Sequence, residues 1–369
     1  MTIEWLAGNR LRGTSAEKPN LGLPSGSVGG WVELGRTTLG STGDDIAITG
    51  LANKRYYMIL NSNLNTYYIN TVMRCNADTG NNYALRSSLD GAADTTSQPV
   101  GYTLNDSENY QSPNFRVAYA SNLSGKEKLL IHNVVTENAS GAGTAPRRTE
   151  GVGKWSNTSE PIDEFNVFNY GAGSLISGSE IVVLGFDPDD THTSNFWEEL
   201  ASVELTSASM RIDSGTFTAK KYLWIQIYNT AKPSGGNTYV YYNNVTSGGT
   251  HSGRSNTNGR NPTNQSSLSD YELTSSNGSI INHDVSGSGT ATGMFTNMFV
   301  INNASNEKLS IIKSVSGWTN AGAGVAPVMF DCVGKWSNTT DAITSVQCGS
   351  TSVSTYMGAG SIIKVWGSN

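Results

Sequence analysis

Charge is scarce in this chain: only 15% of its 369 residues are Asp, Glu, Lys or Arg, and the formal balance is -6. With no basic excess and no basic patch to neutralise phosphates, a nucleic-acid partner is excluded. Histidine is as sparse, with four residues at 132, 192, 251 and 283, none in a His-x-His or His-x-x-x-His metal spacing. The three cysteines, Cys75, Cys332 and Cys348, form no even framework; Cys332 and Cys348 either bridge in an oxidising medium or stay as two buried thiols. No apolar run reaches the roughly 18 residues of a helical membrane span. The start, Met1-Thr-Ile-Glu-Trp5, lacks the basic and apolar regions of a secretory signal, so the protein is expected to fold in the cytoplasm of the cell that makes it. Nucleophile elbows, Walker loops and Rossmann turns are also missing, and the chain reads as a non-enzyme.

Neutral polar residues are what the sequence has instead. Ser, Thr and Asn number 46, 37 and 37, and 41 Gly join them, a composition that diverts the backbone from long helices toward turns and strands. Eight Trp, 16 Tyr and 9 Phe are too many aromatics for a disordered chain. The apolar runs are short, β-branched or aromatic, and bounded by Asn, Gly and Ser, as in Tyr56-Tyr-Met-Ile-Leu60, Ile181-Val-Val-Leu184 and Tyr222-Leu-Trp-Ile-Gln-Ile-Tyr228. Such runs predict buried strands.

Self-similarity organises these strands. Trp31-Val-Glu-Leu matches Trp197-Glu-Glu-Leu at an offset of 166, and Glu127-Lys-Leu129 matches Glu307-Lys-Leu309 at 180. Gly141-Ala-Gly-Thr-Ala-Pro146 faces Gly322-Ala-Gly-Val-Ala-Pro327, and Gly153-Lys-Trp-Ser-Asn-Thr158 recurs unchanged as Gly334-Lys-Trp-Ser-Asn-Thr339. The matches keep their order, which is the mark of a tandem duplication. The expected fold is all-β: two homologous antiparallel β-sandwiches, jelly-roll-like and of about eight strands each, over residues 31–186 and 197–369. A Pro- and Asp-bearing linker, 187–196, joins them, and a Gly- and Ser-rich extended arm, 1–30, precedes both. The helix-like Asn195-Phe-Trp-Glu-Glu-Leu-Ala201 aligns with the strand-like Trp31 segment and is assigned as strand.

Candidate sites are few. The loop Asn76-Ala-Asp-Thr-Gly80 with Tyr83 and Arg86 faces Asn244-Val-Thr-Ser-Gly248 with His251 and Arg254, at an offset of 168. Aromatic, amide and guanidinium groups together suit contact with a sugar or a neighbouring subunit; an Arg fixing its own loop is the structural alternative. Asp187, Asp189 and Asp190 could hold a calcium ion through oxygen ligands, or simply keep a linker solvated. Glu127 and Glu307, each followed by Lys and a strand, read as strand-edge charges and not as a glycosidase pair. The verbatim hexapeptide reads as a packed Trp155 or Trp336 with a tight turn, against a sugar-stacking alternative.

Several of these segments carry a resemblance. Trp5-Leu-Ala-Gly-Asn-Arg10-Leu-Arg-Gly-Thr14, Lys54-Arg-Tyr-Tyr57, Lys126-Glu-Lys-Leu129, Gly141-Ala-Gly-Thr-Ala-Pro146, Gly153-Lys-Trp155 and Gly360-Ser-Ile-Ile-Lys-Val-Trp-Gly367 resemble repeat-containing virion structural proteins of marine tailed phages and related environmental viruses. The resemblance covers nearly the whole chain and implies a particle component: a head decoration, a fibre or spike, or a double jelly-roll shell. It implies no catalytic residues. A virion location, a homo-oligomer with a trimer first in line, arm contacts to other virion proteins and contact with surface glycans are the expectations that follow. A carbohydrate-binding module or adhesin is the alternative of a different class.

Overall fold

A computed structural model describes residues 30–65, 69–105, 113–187, 195–232, 237–258, 269–282, 292–317, 327–350 and 356–369. Nearly all of the N-terminal arm, Asp189, Asp190, His192 and His283 lie outside the described residues. Every described element is a strand. Repeat 1 holds β1 (Val32–Thr38), β2 (Asp45–Ile48), β3 (Tyr56–Asn63), β4 (Thr71–Cys75), β5 (Tyr83–Leu89), β6 (Thr95–Val100), β7 (Leu104–Asn105), β8 (Asn114–Ser121), β9 (Lys128–Thr136), β10 (Arg147–Trp155), β11 (Phe165–Asn169) and β12 (Glu180–Phe186). Repeat 2 repeats that order with β13 (Glu198–Glu204), β14 (Arg211–Asp213), β15 (Tyr222–Lys232), β16 (Thr238–Tyr242), β17 (His251–Asn258), β18 (Ser269–Ser276), β19 (Ser279–Asn282), β20 (Thr292–Ile301), β21 (Lys308–Ser316), β22 (Val328–Trp336), β23 (Val346–Gly349) and β24 (Ile362–Ser368).

Each repeat is a β-sandwich of one eight-stranded and one four-stranded sheet. The large sheets run β1-β12-β3-β8-β9-β10-β5-β6 and β13-β24-β15-β20-β21-β22-β17-β18; the small ones run β2-β11-β4-β7 and β14-β23-β16-β19. The orders are identical strand for strand, and every ladder is antiparallel. Each repeat thus has twelve described strands where about eight were expected. The additional ones include short members such as β7 and β14, too brief to leave a periodic signal. The 195–201 segment feeds β13, as its alignment required.

Cross-strand registers fix which residues correspond. Tyr119 lies opposite Ile131 and Ile131 opposite Val152, just as Phe299 lies opposite Ile311 and Ile311 opposite Val333. The counterpart of His132 is therefore Ile312.

Among the described residues, three apolar clusters hold the molecule together. One fills repeat 1 around Tyr57, Ile59, Trp155 and Phe165, and one fills repeat 2 around Leu223, Ile225, Trp336 and Val346. The third lies between the repeats, where Met58, Leu60, Phe115, Val117, Val135, Val182 and Leu184 meet Trp197, Tyr222, Phe299, Ile311, Val333 and Trp366. This explains the unbroken apolar runs. In β3, Tyr57 and Ile59 enter the core of repeat 1 while Met58 and Leu60 enter the inter-repeat cluster, so both faces of the strand are buried. The two large sheets pack on one another with the small sheets outermost, and the repeats form one four-layered body.

Candidate functional site

The verbatim hexapeptide ends β10 and β22 and is built for packing. A Cβ on Gly153 would meet the Thr103 carbonyl oxygen, and one on Gly334 would meet the Ser310 hydroxyl, so neither position has room for a side chain. Trp155 and Trp336 are buried in their own cores. Ser156 and Ser337 donate backbone N–H groups to the carbonyls of Asn82 and Thr250. Asn157 Oδ1 accepts the N–H groups of Ser159 and Glu160, and Asn338 does the same for Thr340 and Asp341, closing an Asx turn in each repeat. The motif folds two corners.

The candidate loops serve the same two tryptophans. Tyr83 stacks on Trp155 at 6.3 Å, and its counterpart His251 stacks on Trp336 at 6.1 Å. Both are buried, which removes them from contact with any external sugar. Burial pushes the His251 imidazole down to about 3, so it stays neutral. His132 is likewise held well below its ordinary range, by burial first and then by the nearby Arg116 guanidinium. Asp78 accepts the Trp155 indole N–H at 2.8 Å. Burial alone would raise this carboxyl, but hydrogen bonds from Asn82, Trp155 and the Gly80 N–H outweigh it and hold Asp78 below the usual range.

Asn76 has a different role from the one its loop suggested. It adopts a left-handed φ of 52°, which Asn tolerates, and its side chain donates to the Pro161 carbonyl while accepting the Asp163 N–H. Its structural counterpart is Asn243, which makes the same clamp on Ala342 and Thr344. Asn244, the counterpart expected from sequence spacing, is exposed beside it with a φ of 59°. Arg86 is exposed and pairs with Asp94 at 3.2 Å. Its counterpart Arg254 is buried between the repeats, where it donates to the Pro146 carbonyl and approaches Asp90 at 3.3 Å. The structure therefore does not gather the six candidates into one site: two pack on tryptophans, Arg254 joins the repeats, and Arg86 borders an open groove. Asp187 pairs with Arg55 at 3.4 Å, and among the described residues no cluster of His, Cys, Asp or Glu has the makings of a metal site.

The groove beside Arg86 lies between the two large sheets and has a volume of about 520 Å³. Ile131, Asn133 and Val152 line it from repeat 1, and Lys313, Met329 and Asp331 from repeat 2. Lys313 bridges to Glu150 across it at 3.3 Å.

Sequence reasoning missed the charges inside the body. Lys128 and Lys308, the lysines of the repeated Glu-Lys-Leu, are buried and donate to the Asn157 and Asn338 carbonyls at 3.2 and 2.8 Å, clamping the hexapeptide turns. Burial pushes Lys308 down to about 8, against the pull of Asp341 and Glu307. At the inter-repeat contact, Arg148 donates to the Asp331 carbonyl at 2.8 Å and buried Lys335 to the Glu137 carbonyl at 3.1 Å. The exact recurrence of Glu-Lys-Leu was the available signal, though Glu127 and Glu307 diverge: Glu127 is a surface partner of Lys154, whereas the Glu307 side chain is largely covered and lies 3.6 Å from Lys335.

Glu137 is held above the ordinary carboxylate range, by burial first and then by the charge of Glu307. A raised folded-state value favours the neutral form, so this contribution to stability is full below the ordinary range and is lost as pH rises through the folded value. Glu137→Gln is therefore expected to raise Tm by a few degrees at pH 7 and to give no gain in acid below the carboxylate range, measured by thermal melts at both pH values.

All three cysteines are free and buried. Burial pushes the Cys332 thiol up to about 12 and raises Cys75 and Cys348 as well. A thiol reagent at pH 8 is expected to label none of them in the folded protein and all three in denaturant; rapid labelling of the native protein would contradict the buried placement.

No protein-family model and no curated protein matches the chain. Comparison with solved structures gives only faint likenesses. Mouse laminin α1 chain domains LG4-5 share 10% identity over 92% of this chain and 90% of that one, with a TM-score of 0.15. Neisserial surface protein A shares 6% over 80% and 97%, with a TM-score of 0.10. A fructofuranosidase from Schwanniomyces occidentalis shares 9% over 74% and 62%, with a TM-score of 0.18. The class defined by the fold is an all-β protein of two fused sandwiches, and these likenesses add nothing to it.

Proposed function

We propose that this chain is a structural component of a virus particle, a surface element of the decoration, fibre or spike kind, that works as a homo-oligomer and touches host glycans. The observation that carries the reading is the fusion of two duplicated sandwiches through a buried apolar cluster into one body. The polar groups singled out by the sequence are largely engaged in holding that body together. Such a construction favours a rigid building block. The resemblance of the sequence to virion structural proteins supports the same reading, and the neutral Asn-, Ser- and Thr-rich composition suits a surface that meets glycans.

The test is the solution mass of the purified protein by light scattering, at low and high concentration. A trimer or other closed oligomer is the expected result. A monomer at every concentration would overturn the assembly reading in favour of a stand-alone carbohydrate-binding module, to be pursued by a glycan screen.

A further inference from the structure

Corresponding residues of the two repeats have opposite exposures on the faces that meet. Phe115 is 1% exposed and Phe295 40%; Ile311 is 5% exposed and Ile131 55%; Val333 is 1% exposed and Val152 47%. Two related domains packed face to face offer two equivalent half-contacts, and here one is closed while the other stands open. The closed half joins Phe115 to Tyr222, with ring centroids 6.3 Å apart, and Glu180 of repeat 1 accepts the Tyr222 hydroxyl there. The counterpart of Glu180 is Ile362, whose side chain can make no such bond on the open side. The open half is the groove beside Arg86.

Equivalent polar rows of the two repeats line that groove. Ser88, Glu150 and Asn133 lie opposite one another across β5, β10 and β9, and their counterparts Asn256, Asp331 and Lys313 do so across β17, β22 and β21. Ile131, Val152 and Met329 add an aliphatic bed, each about half exposed. Charge in the groove is already matched. Lys313 pairs with Glu150 and Asp331, Glu150 also with Arg148, and Arg86 with Asp94. Among the described residues, its walls therefore offer no free cation to an anion and no free carboxylate to a cation. The unmatched group is neutral. Asn256 is 8% exposed, and its Oδ1, at the groove wall, accepts no hydrogen bond from the protein. A buried acceptor without a donor is costly, and a ligand that brings its own O–H groups removes that cost.

We propose that the open half-contact is a binding site for a neutral saccharide. The C–H face of a sugar ring lies on Ile131, Val152 and Met329, one of its hydroxyls donates to Asn256 Oδ1, and Asn133, Glu150 and Asp331 are placed to take others. A saturated ring suits an aliphatic bed, and its uncharged hydroxyls suit walls whose charges are spent on one another. The volume of about 520 Å³ falls within the span of small-ligand sites. The proposal rests on the reading that this protein meets glycans, and adds where it meets them and of which kind they are.

The test uses the full chain on an array of neutral oligosaccharides printed beside their sialylated and sulfated forms, followed by calorimetric titration of the strongest neutral binder. The wild type is expected to prefer the neutral forms. Asn256→Ala removes the unmatched acceptor, and Val152→Glu puts a charge on the bed at a position already exposed. Each is expected to weaken binding at least tenfold while melting near the wild-type temperature. Tyr170→Ala removes an exposed ring that lies 5.8 Å from Tyr102 after β11, the rival place for a sugar to stack, and is expected to bind like the wild type. Wild-type affinity in both groove variants would overturn the site and leave the glycan reading standing. A preference for the acidic forms would overturn the neutral ligand. A wild type that binds nothing on the array would overturn the glycan reading and the site together.

Discussion

Trp336→Ala is expected to cost about 3–5 kcal/mol of global stability, the range for deleting a fully buried large aromatic. The indole lies between the His251 ring at 6.1 Å, the Tyr242 ring at 5.6 Å and the Lys308 ammonium at 5.5 Å, all buried with it. Nothing around it can collapse cheaply, since β22 has neighbours on both sides in the middle of an eight-stranded sheet. Trp155→Ala should lose a similar amount, and in both variants the two repeats should unfold in one denaturant transition. That second expectation comes from the inter-repeat cluster, which draws apolar residues from both large sheets. A loss below about 1 kcal/mol would mean that the tryptophan is a surface group, as a sugar-stacking role requires. A melt in two steps, with one repeat untouched, would mean that the repeats are independent beads.

Much of this architecture is legible in the sequence because duplication writes it twice. Offsets of 166, 168, 180 and 181 read from matched words agree with ladder registers at Arg86 with Arg254 and Trp155 with Trp336, though the 168 offset slips by one at Asn76, whose counterpart is Asn243. Gly153-Lys-Trp155 survives in both copies because a glycine must pass Thr103 in the first and Ser310 in the second, and a tryptophan must fill the core behind it. Lost from view is whatever depends on the second face of a strand. A run such as Met58-Ile-Leu60 states that both faces are covered without naming the cover, and here half of it is the other repeat. Charges mislead in the same way. Lys154 and Lys335 occupy the same place in identical hexapeptides, yet Lys154 meets Glu127 at the surface while Lys335 is buried against the Glu137 carbonyl. Identity of sequence fixed the local turn, and the broken symmetry of the pairing fixed the environment. The candidate pair Tyr83 and His251 shows the same limit: a tyrosine and a histidine at matched positions suggest a binding surface, whereas both serve as lids on a core tryptophan.

That broken symmetry rests largely on one carboxylate, and Glu180→Ala is expected to cost about 3–5 kcal/mol, the range for removing one partner of a buried ion pair. Glu180 is buried at the start of β12. It accepts the Tyr222 hydroxyl at 2.7 Å and Arg36 Nη1 at 3.1 Å, and it pairs with Lys221 Nζ at 3.0 Å, so one side chain ties repeat 1 to two residues of repeat 2. Burial alone would raise its carboxyl, but hydrogen bonds from Thr38, Tyr222 and Lys221 outweigh it and hold Glu180 below the ordinary range. A lowered folded-state value gives stability that is complete above the ordinary carboxylate range and is lost as pH falls through the folded value. Glu180→Ala should therefore be most damaging near neutrality and should flatten the acid limb of a stability profile, the reverse of the Glu137→Gln change. Glu180→Gln keeps one acceptor oxygen, for Tyr222, turns a donor NH2 toward the Thr38 hydroxyl and discards the charge, and should fall between Ala and wild type. Hydrogen exchange places the effect: in the Ala variant, amides of β3, β8 and β15 around Phe115 and Tyr222 should lose protection together, since the contact they flank spans both repeats. An Ala variant within 1 kcal/mol of wild type, with an unchanged acid limb, would show that the apolar cluster alone holds the closed half shut. The counterpart Ile362 would then no longer explain why the other half stays open.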